Sequence, residues 1–163
     1  MLAIGILVAG PENRAADAVP SGVPGTERGT VERVVDGDTI TVRLNGATER
    51  VRYVGVDAPE LARPSEGREA ECGGNEATDA NRALVEGREI LLERDTTDRD
   101  RFGRLLRHVW LSDGQAWQLV TERLVADGAI EARSYPPDTS RDAQLDAAEA
   151  AARANQRGIW GDC

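Results

Sequence analysis

Apolar and polar residues alternate from about residue 30 onward, and this pattern predicts three consecutive β-strands. A β-branched cluster occupies residues 30–36, and apolar residues alternate with polar ones over residues 40–44, as in a half-buried strand. Asn45-Gly46 follows at once and predicts a two-residue type I′ hairpin turn. A return strand over residues 47–56 would then complete a β-meander.

The next part of the chain alternates between helical and strand-like periodicity. Residues 75–86 predict a helix that ends at Gly87, because their apolar side chains recur on one helical face. Residues 89–93 and 104–111 predict two further strands, the second followed by an Asp113-Gly114 turn.

Two more helices are expected towards the C-terminus. Residues 116–126 carry helical periodicity with Gly128 as the C-cap, and Thr139 with Asp142 resembles a capping box. That box would open an alanine-rich helix that stops at Gly158. The order β-β-β-α-β-β-α-α predicts an α+β fold, a five-stranded OB-fold Greek-key β-barrel with three α-helices.

Residues 1–29 precede the predicted domain, which covers residues 30–163. Residues 2–9 form an apolar run too short to span a bilayer, so no stable membrane span is expected. No basic residue precedes that run, and Ala16-Asp17-Ala18 is a weak cleavage site. A clipped secretory signal and a disordered apolar tail both fit this pattern. Residues 11–29 have the composition of a linker.

The charged residues exclude several kinds of chemistry. The 163 residues include 20 basic and 29 acidic groups, for a formal net charge of −9. Every basic residue is arginine, which excludes Schiff-base enzymes, pyridoxal phosphate enzymes and P-loop sites, because these need lysine. One histidine and two cysteines cannot form a four-ligand Cys/His zinc site. Catalysis would depend on carboxylates, arginines, backbone groups or a metal ion bound by oxygen.

Two aspartates are expected to meet at one edge of the barrel. Asp38 lies between the first two predicted strands, and Asp57 follows the third. If these strands pair as a meander, the start of the second lies beside the end of the third. Adjacent carboxylates repel unless a cation lies between them, and oxygen ligands favour Ca²⁺ or Mg²⁺. The pattern therefore predicts a divalent-cation site.

Two arginines and a third carboxylate complete a set suited to phosphodiester hydrolysis. Arg52 lies in the third predicted strand, and Arg104 opens a later one. Glu60 follows the third strand in a loop that Pro59 stiffens. Guanidinium groups bind phosphoryl oxygens through paired hydrogen bonds, and a metal ion polarises the same group. The spare carboxylate can activate or orient water.

Each of these features also has an ordinary structural interpretation. Asp36-Gly37-Asp38 is typical of a plain turn, and the charges of residues 99–107 could form a solvated face. For His108, a structural or surface role outweighs catalysis. The tryptophans are expected to pack in the core or against helices. The acidic net charge also argues against nucleic acid, since phosphate binding depends largely on Lys and Arg.

The order of these motifs closely resembles the staphylococcal (micrococcal) nuclease family. The resemblance covers residues 30–163 and rests on Asp36-Gly37-Asp38-Thr39, Arg52 with Asp57-Ala58-Pro59-Glu60, Asp100-Arg101-Phe102-Gly103-Arg104 and Gly158-Ile159-Trp160. It implies a five-stranded OB barrel with three helices. It also implies Ca²⁺-dependent hydrolysis of single-stranded or breathing DNA and of RNA, leaving 3′-phosphates.

The resemblance implies a role for each matching residue. It implies three Ca²⁺ ligands: the side chains of Asp38 and Asp57 and the backbone carbonyl of Ala58. It implies that Glu60 is the general base or orients the attacking water. It implies two arginines that hold the phosphate: Arg52 and Arg104. It implies a nucleotide-binding set: Arg101, Phe102, Arg133 and Tyr135.

The sequence departs from the family pattern at three positions. Ala58 replaces a usual threonine, which removes a hydroxyl but keeps the carbonyl. Phe102 stands where a tyrosine is usual, so a hydroxyl is lost and the ring is kept. Arg133 occupies a second tyrosine position and replaces a stacking ring with a cation. These changes bear on nucleotide affinity and base preference rather than on the type of reaction.

The resemblance also implies a disulfide between Cys72 and Cys163, because many exported members have cysteines at similar places. Closing a loop of about 92 residues would stabilise the fold by up to about 4.6 kcal/mol in the chain-entropy model. A disulfide implies an oxidising compartment, so we expect a secreted or cell-surface protein. We also expect it to be a monomer that acts on DNA and RNA.

Two alternatives remain open from the sequence. An inert OB-fold module could bind single-stranded nucleic acid or protein. Such a module has no need of three carboxylates beside two arginines, and it would favour more aromatic residues than three Trp, two Tyr and one Phe. A phosphodiesterase for a substrate other than nucleic acid would use the same residues.

Overall fold

Five strands close into a barrel in the computed structural model, which describes residues 26–163. The strands of this region are β1 (Thr26–Val34), β2 (Thr39–Leu44), β3 (Ala47–Tyr53), β4 (Val56–Asp57), β5 (Glu89–Glu93), β6 (Leu105–Ser112), β7 (Trp117–Leu119) and β8 (Glu131–Ala132). The main sheet has the antiparallel order β3-β2-β1-β5-β6-β7, and a parallel pairing of β3 with β6 closes the barrel. This strand order confirms the five-stranded OB-type barrel.

Helices and a second, small sheet complete the described part of the chain. The helices are α1 (Gly74–Val85), α2 (Val120–Ala126), α3 (Asp142–Ala154) and the single turn α4 (Ile159–Asp162), and a 3₁₀ turn spans Pro64–Glu66. The three longer helices are the three that the sequence predicts. β4 pairs with β8 in a separate two-stranded ladder. Within residues 26–163, no helix has both the length and the apolar character needed to cross a membrane.

The Asn45-Gly46 turn sets the register on which the candidate site depends. Both residues have positive φ, 49° and 84°, as a type I′ turn requires. The two-residue loop places Thr39 of β2 opposite Arg52 of β3. The carbonyl of Asp38 then accepts a hydrogen bond from the amide of Tyr53 at 2.9 Å. The start of β2 and the end of β3 therefore lie side by side, as predicted.

Branched aliphatic side chains of the strands fill the core, from alternate positions in β2 and from consecutive positions in β5. They join residues of α1 and α2 in one buried core that includes Ile40, Val42, Val51, Val85, Leu92, Val109 and Leu124. Because this core reaches both β2 and β3, packing on the inner face fixes the strand ends that carry the candidate site.

The predicted strand over residues 47–56 is divided in two. β3 ends at Tyr53 and β4 starts at Val56, because Gly55 adopts a φ of +79°. A Cβ at Gly55 would also meet Leu145 Cδ1 at 2.6 Å, so a glycine is needed there. This break takes the chain out of the barrel and into the ladder with β8.

The prediction of one helix over residues 116–126 is wrong in its first part. Trp117–Leu119 instead form β7, which pairs with the end of β6. The Asp113-Gly114 turn brings these residues back along β6, and Leu119 is buried there, so strand pairing overrides the helical periodicity. α2 begins only after β7 and ends before Gly128, whose φ of +71° fits the predicted C-cap.

The predicted capping box at Thr139 and Asp142 is also wrong. Arg141 is the N-cap of α3, and no side chain caps the helix. Asp142 instead accepts a hydrogen bond from Ser134 Oγ at 2.5 Å, so its carboxylate is engaged outside the helix. α3 ends at Ala154, earlier than predicted, because Gln156 has a left-handed φ of 50°.

The predicted signal or tail, its cleavage site and most of the predicted linker lie at residues 1–25, outside the described residues. β1 begins at Thr26, four residues before the expected start of the domain. Its first residues pair with β5, from Thr26↔Glu93 to Thr30↔Glu89. The barrel therefore extends into the last part of that segment.

Candidate active site

The guanidinium of Arg52 brings Asp38 and Asp57 together at one edge of the barrel. Arg52 Nη2 lies 3.0 Å from Asp38 Oδ2 and 3.2 Å from Asp57 Oδ1. Its Nη1 donates to the carbonyl oxygens of Tyr53 at 2.7 Å and Val56 at 3.0 Å. One side chain of β3 thus fixes both carboxylates and the backbone between β3 and β4. The predicted meeting of the two aspartates is observed.

Asp38 is buried at this edge, and its pKa is raised to about 7. Burial is the main cause because it removes water from the ionised form, while Arg52 opposes it and Asp36 adds to it. The carboxylate accepts hydrogen bonds from Thr39 Oγ1 at 2.9 Å and Ala58 N at 3.0 Å. The protein compensates the charge of the ionised form only in part, so a bound cation would stabilise it.

A buried polar network holds the loop between β1 and β2. Tyr53 Oη donates to Asn81 Oδ1 at 2.9 Å, and Asn81 Nδ2 donates to Asp36 O at 2.9 Å. A Cβ at Gly37 would approach Ala58 Cβ to 2.7 Å, so this close packing requires a glycine. The network and the glycine together position the loop that carries the first aspartate.

Glu60 lies on the exposed loop after β4, and its neighbours fix its backbone. Its amide donates to Glu71 Oε2 at 3.0 Å, and its carbonyl accepts from Glu71 N at 2.9 Å. Its carboxylate lies 2.9 Å from Arg63 Nη2, and the Glu60 side chain is 44% exposed. In the described part of the chain, this carboxylate is paired with Arg63 and is not joined to the two aspartates.

Arg52 and Arg104 line the same cavity, which has a volume of about 260 Å³. Arg104 Nε lies 2.6 Å from Asp100 Oδ2, and Asp100 Oδ1 accepts from the Arg104 amide at 3.0 Å. Tyr135 and Asp138 also line this space. The cavity therefore presents two guanidinium groups and an aromatic ring to one ligand.

Arg101 and Phe102 lie in the turn before β6. The Phe102 ring is 69% exposed, and its centroid lies 4.7 Å from the guanidinium carbon of Arg101 and 5.6 Å from that of Arg104. Tyr135 is 41% exposed. An exposed ring beside two cations is suited to stack on an unpaired base.

Arg133 forms an ion pair with Asp57. Arg133 Nη1 is 2.8 Å from Asp57 Oδ2, and its guanidinium carbon is 5.8 Å from the centroid of Tyr135. Its amide donates to Gly55 O at 2.9 Å, which continues the pairing of β4 with β8. One carboxylate oxygen of Asp57 therefore contacts Arg52, and the other contacts Arg133.

The oxygen groups of this cluster suit a hard divalent cation. The donors that the family resemblance implies are the carboxylates of Asp38 and Asp57 and the carbonyl of Ala58, and water can complete the roughly six to eight ligands that Ca²⁺ takes. Within residues 26–163, no group of three or more His, Cys, Asp or Glu side chains is arranged to hold a metal. A metal here would therefore rely on backbone and water ligands as well as on the two carboxylates.

Sequence reasoning does not identify three residues that shape the site: Arg63, Asn81 and Asp138. Arg63 pairs with the predicted base, and Asp138 accepts hydrogen bonds from Thr96 N at 2.9 Å and Thr97 N at 2.6 Å. Asn81 has a usable signal, because it is a polar residue on the buried face of α1. The other two have none, because their charges resemble those of any exposed loop.

Cys72 and Cys163 form a disulfide with an S–S distance of 2.07 Å. The bridge joins the segment before α1 to the residue after α4. A Cβ at the neighbouring Gly73 would meet Ile159 Cγ2 at 2.5 Å and Pro59 Cγ at 3.7 Å. The C-terminal turn therefore packs beside the loop that carries the predicted metal ligand and base.

Comparison with known proteins gives consistent matches. A family model described as "Staphylococcal nuclease homologue" matches residues 50–162. The Thermonuclease of Staphylococcus intermedius is 33% identical over 130 residues, which cover 80% of this chain and 74% of that protein. The Thermonuclease of Staphylococcus hyicus is 32% identical over 130 residues, covering 80% and 73%. Endonuclease YncB of Bacillus subtilis (strain 168) is 38% identical over 133 residues, covering 80% and 60%.

Proposed function

The chain belongs to the staphylococcal nuclease family, and on that premise we propose that it hydrolyses phosphodiester bonds in nucleic acid. We further propose Ca²⁺ as the cofactor, single-stranded or breathing DNA and RNA as substrates, and 3′-phosphates as products. The observation that carries the proposal is the position of Arg52, which bonds two carboxylates and lines one cavity with Arg104.

Three side chains act on the scissile phosphate. The carboxylate of Glu60 accepts a proton from the attacking water, whose oxygen bonds to phosphorus. Arg52 and Arg104 donate N–H hydrogen bonds to the phosphoryl oxygens as negative charge builds on them. The bond from phosphorus to the 5′ oxygen breaks, that oxygen takes up a proton from solvent water, and the phosphate remains on the 3′ side, while Glu60 later returns its proton to solvent.

Asp38, Asp57 and the carbonyl of Ala58 would hold the ion. When bound, Ca²⁺ polarises the phosphoryl group and offsets its charge. The buried, partly compensated carboxylate of Asp38 supports this assignment. Arginines already pair with the carboxylates of Asp57 and Glu60, so one ion pair at each carboxylate must rearrange when ion and substrate bind.

The two exposed aromatic rings support a preference for unpaired bases. Stacking on Phe102 or Tyr135 requires a base that has left the duplex, since both rings lie at the surface. Arg101 adds a cation beside the first ring.

We also propose that the protein is a monomer. We propose that it is secreted or held at the cell surface, and the Cys72–Cys163 disulfide supports this location.

Cleavage of heat-denatured DNA with Ca²⁺, and with EDTA in its place, tests the proposed function. We expect cleavage with Ca²⁺ only, and fragments whose 3′ ends can be extended only after phosphatase treatment. Arg104→Lys should lower the rate, because lysine cannot reproduce the guanidinium fork. Binding of single strands without cleavage in every condition would contradict the proposal and indicate an inert OB-fold module.

A further inference from the structure

Both oxygens of the Asp57 carboxylate are already bonded to arginines. Oδ1 lies 3.2 Å from Arg52 Nη2, and Oδ2 lies 2.8 Å from Arg133 Nη1. A divalent cation that binds Asp57 must therefore displace or share one of these contacts. The identity of the displaced arginine decides how readily the site takes up its ion.

The two arginine side chains differ in their burial and in the number of groups that they contact. The Arg52 side chain is 13% exposed and also bonds Asp38 and two backbone carbonyls. The Arg133 side chain is 61% exposed, and within the described residues Asp57 is its hydrogen-bond partner. An ion pair this exposed is weak, because water competes for both charges and the long side chain loses entropy. Arg133 is therefore the contact that a cation displaces.

The backbone of Arg133 stays in place when its side chain moves. Its amide is bonded to Gly55 O at 2.9 Å, and the preceding residues pair with β4. The guanidinium, which lies beside Asp57 and Tyr135, can therefore move about a fixed backbone. Once released, it is a free cation at the edge of the site, where a substrate phosphate can bind it.

We propose that Arg133 is an internal counter-ion of Asp57 that sets the Ca²⁺ concentration at which the site loads, and that then binds substrate phosphate. This inference rests on the proposed function. The Arg133 guanidinium opposes Ca²⁺ binding in two ways. It occupies an oxygen of Asp57 that would ligate the ion, and its positive charge repels Ca²⁺. Loading thereby frees the group that receives the substrate.

Calorimetry of Ca²⁺ binding to the metal-free protein tests the first half of this inference. We expect Arg133→Gln to bind Ca²⁺ about three- to tenfold more tightly than the wild type at low ionic strength. Added NaCl should reduce this difference, because it screens exposed charges. Equal affinities of wild type and variant would overturn the inference.

Arg43→Gln is the matched control. Arg43 also forms an exposed ion pair, with Glu32 at 2.6 Å and a side-chain exposure of 54%. It lies five residues along β2 from Asp38, which is about 16 Å in a strand. We expect its Ca²⁺ affinity to equal that of the wild type. An equal gain in both variants would mean that net charge alone acts, which would also overturn the inference.

Steady-state kinetics on single-stranded DNA at saturating Ca²⁺ test the second half. We expect Arg133→Gln to raise KM severalfold with little change in kcat, since a binding contact is lost and the chemistry is kept. An unchanged KM would overturn the phosphate-binding role. Failure of the proposed function is distinguishable from failure of this inference. If the proposed metal site is wrong, Asp38→Asn will bind Ca²⁺ with the same affinity as the wild type.

Discussion

Arg52 serves the fold and the proposed chemistry with one guanidinium. Its three hydrogen bonds and one further ion-pair contact reach two carboxylates and two backbone carbonyls at distances between 2.7 and 3.2 Å. Such a fork depends on planar geometry with donors in fixed directions, which an ammonium group does not have. The residue is therefore a structural support of the site before any ligand binds.

Arg52→Lys should lower the free energy of unfolding by about 1–3 kcal/mol, because it leaves buried acceptors without donors. Urea denaturation in metal-free buffer measures this change. Arg43→Lys, at an exposed pair on the same barrel, should change it by less than about 0.5 kcal/mol. An Arg52→Lys protein as stable as the wild type would show that the fork does not support the site.

His108 connects β6 to the segment that leads into α3. Its ring is fully buried, and Nε2 lies 3.3 Å from both Asp95 Oδ2 and Ser140 Oγ. Burial lowers the pKa of His108, against the smaller opposing effects of Asp95 and Glu93. The ring is held in its neutral form, so the expected structural role is the one observed.

The lowered pKa of His108 predicts a loss of stability on acidification. The unfolded chain takes up the proton near the ordinary pKa of about 6.5 and the folded chain only at lower pH. The contribution of His108 is therefore complete above about pH 6.5 and falls as the pH drops towards the folded pKa. Asp38 acts in the opposite sense, because its pKa is raised to about 7.

The difference in melting temperature between wild type and His108→Gln isolates the histidine. We expect the advantage of the wild type to shrink between pH 7 and pH 5.5, a range set by the ordinary histidine pKa of about 6.5. Because the chain has one histidine, its ring resonances also give the pKa directly by NMR. A folded-state pKa of about 6.5 or above would contradict the prediction.

Local signals were sufficient for the elements whose sequence and tertiary contacts agree. The Asn45-Gly46 turn predicted the β2–β3 register, and that register predicted the meeting of Asp38 and Asp57. Trp117–Leu119 differ, because their helical periodicity is overridden by pairing with β6. Gly55 likewise ends a strand that β-propensity alone would continue.

Contacts between distant segments were beyond the reach of sequence patterns. Arg133 lies 76 residues from Asp57, and no periodicity connects them. Family resemblance placed Arg133 at the nucleotide, but its contact with a predicted metal ligand is visible only in the fold. The pairing of Glu60 with Arg63 is local, yet it depends on how the loop after β4 folds back on itself.

For the whole molecule, the disulfide joins two segments separated by 91 residues. Its loss should lower the free energy of unfolding by up to about 4.6 kcal/mol and the melting temperature by about 10 °C, because the unfolded chain gains freedom. Thermal unfolding with and without reductant measures this. The double variant Cys72→Ser/Cys163→Ser should have the melting temperature of the reduced wild type, with or without reductant. A wild type whose melting temperature does not change with reductant would contradict the prediction.

The cleavage rate of Glu60→Gln beside that of Glu69→Gln tests the central claim most directly. Both changes remove one negative charge from the exposed loop after β4, but only Glu60 is proposed to accept a proton from water. With heat-denatured DNA and saturating Ca²⁺, we expect Glu60→Gln to lose about 10²- to 10⁴-fold in rate while its Ca²⁺ affinity is kept. Glu69→Gln should cleave at the wild-type rate. A Glu60→Gln protein that cleaves as fast as this control would contradict the account of the site.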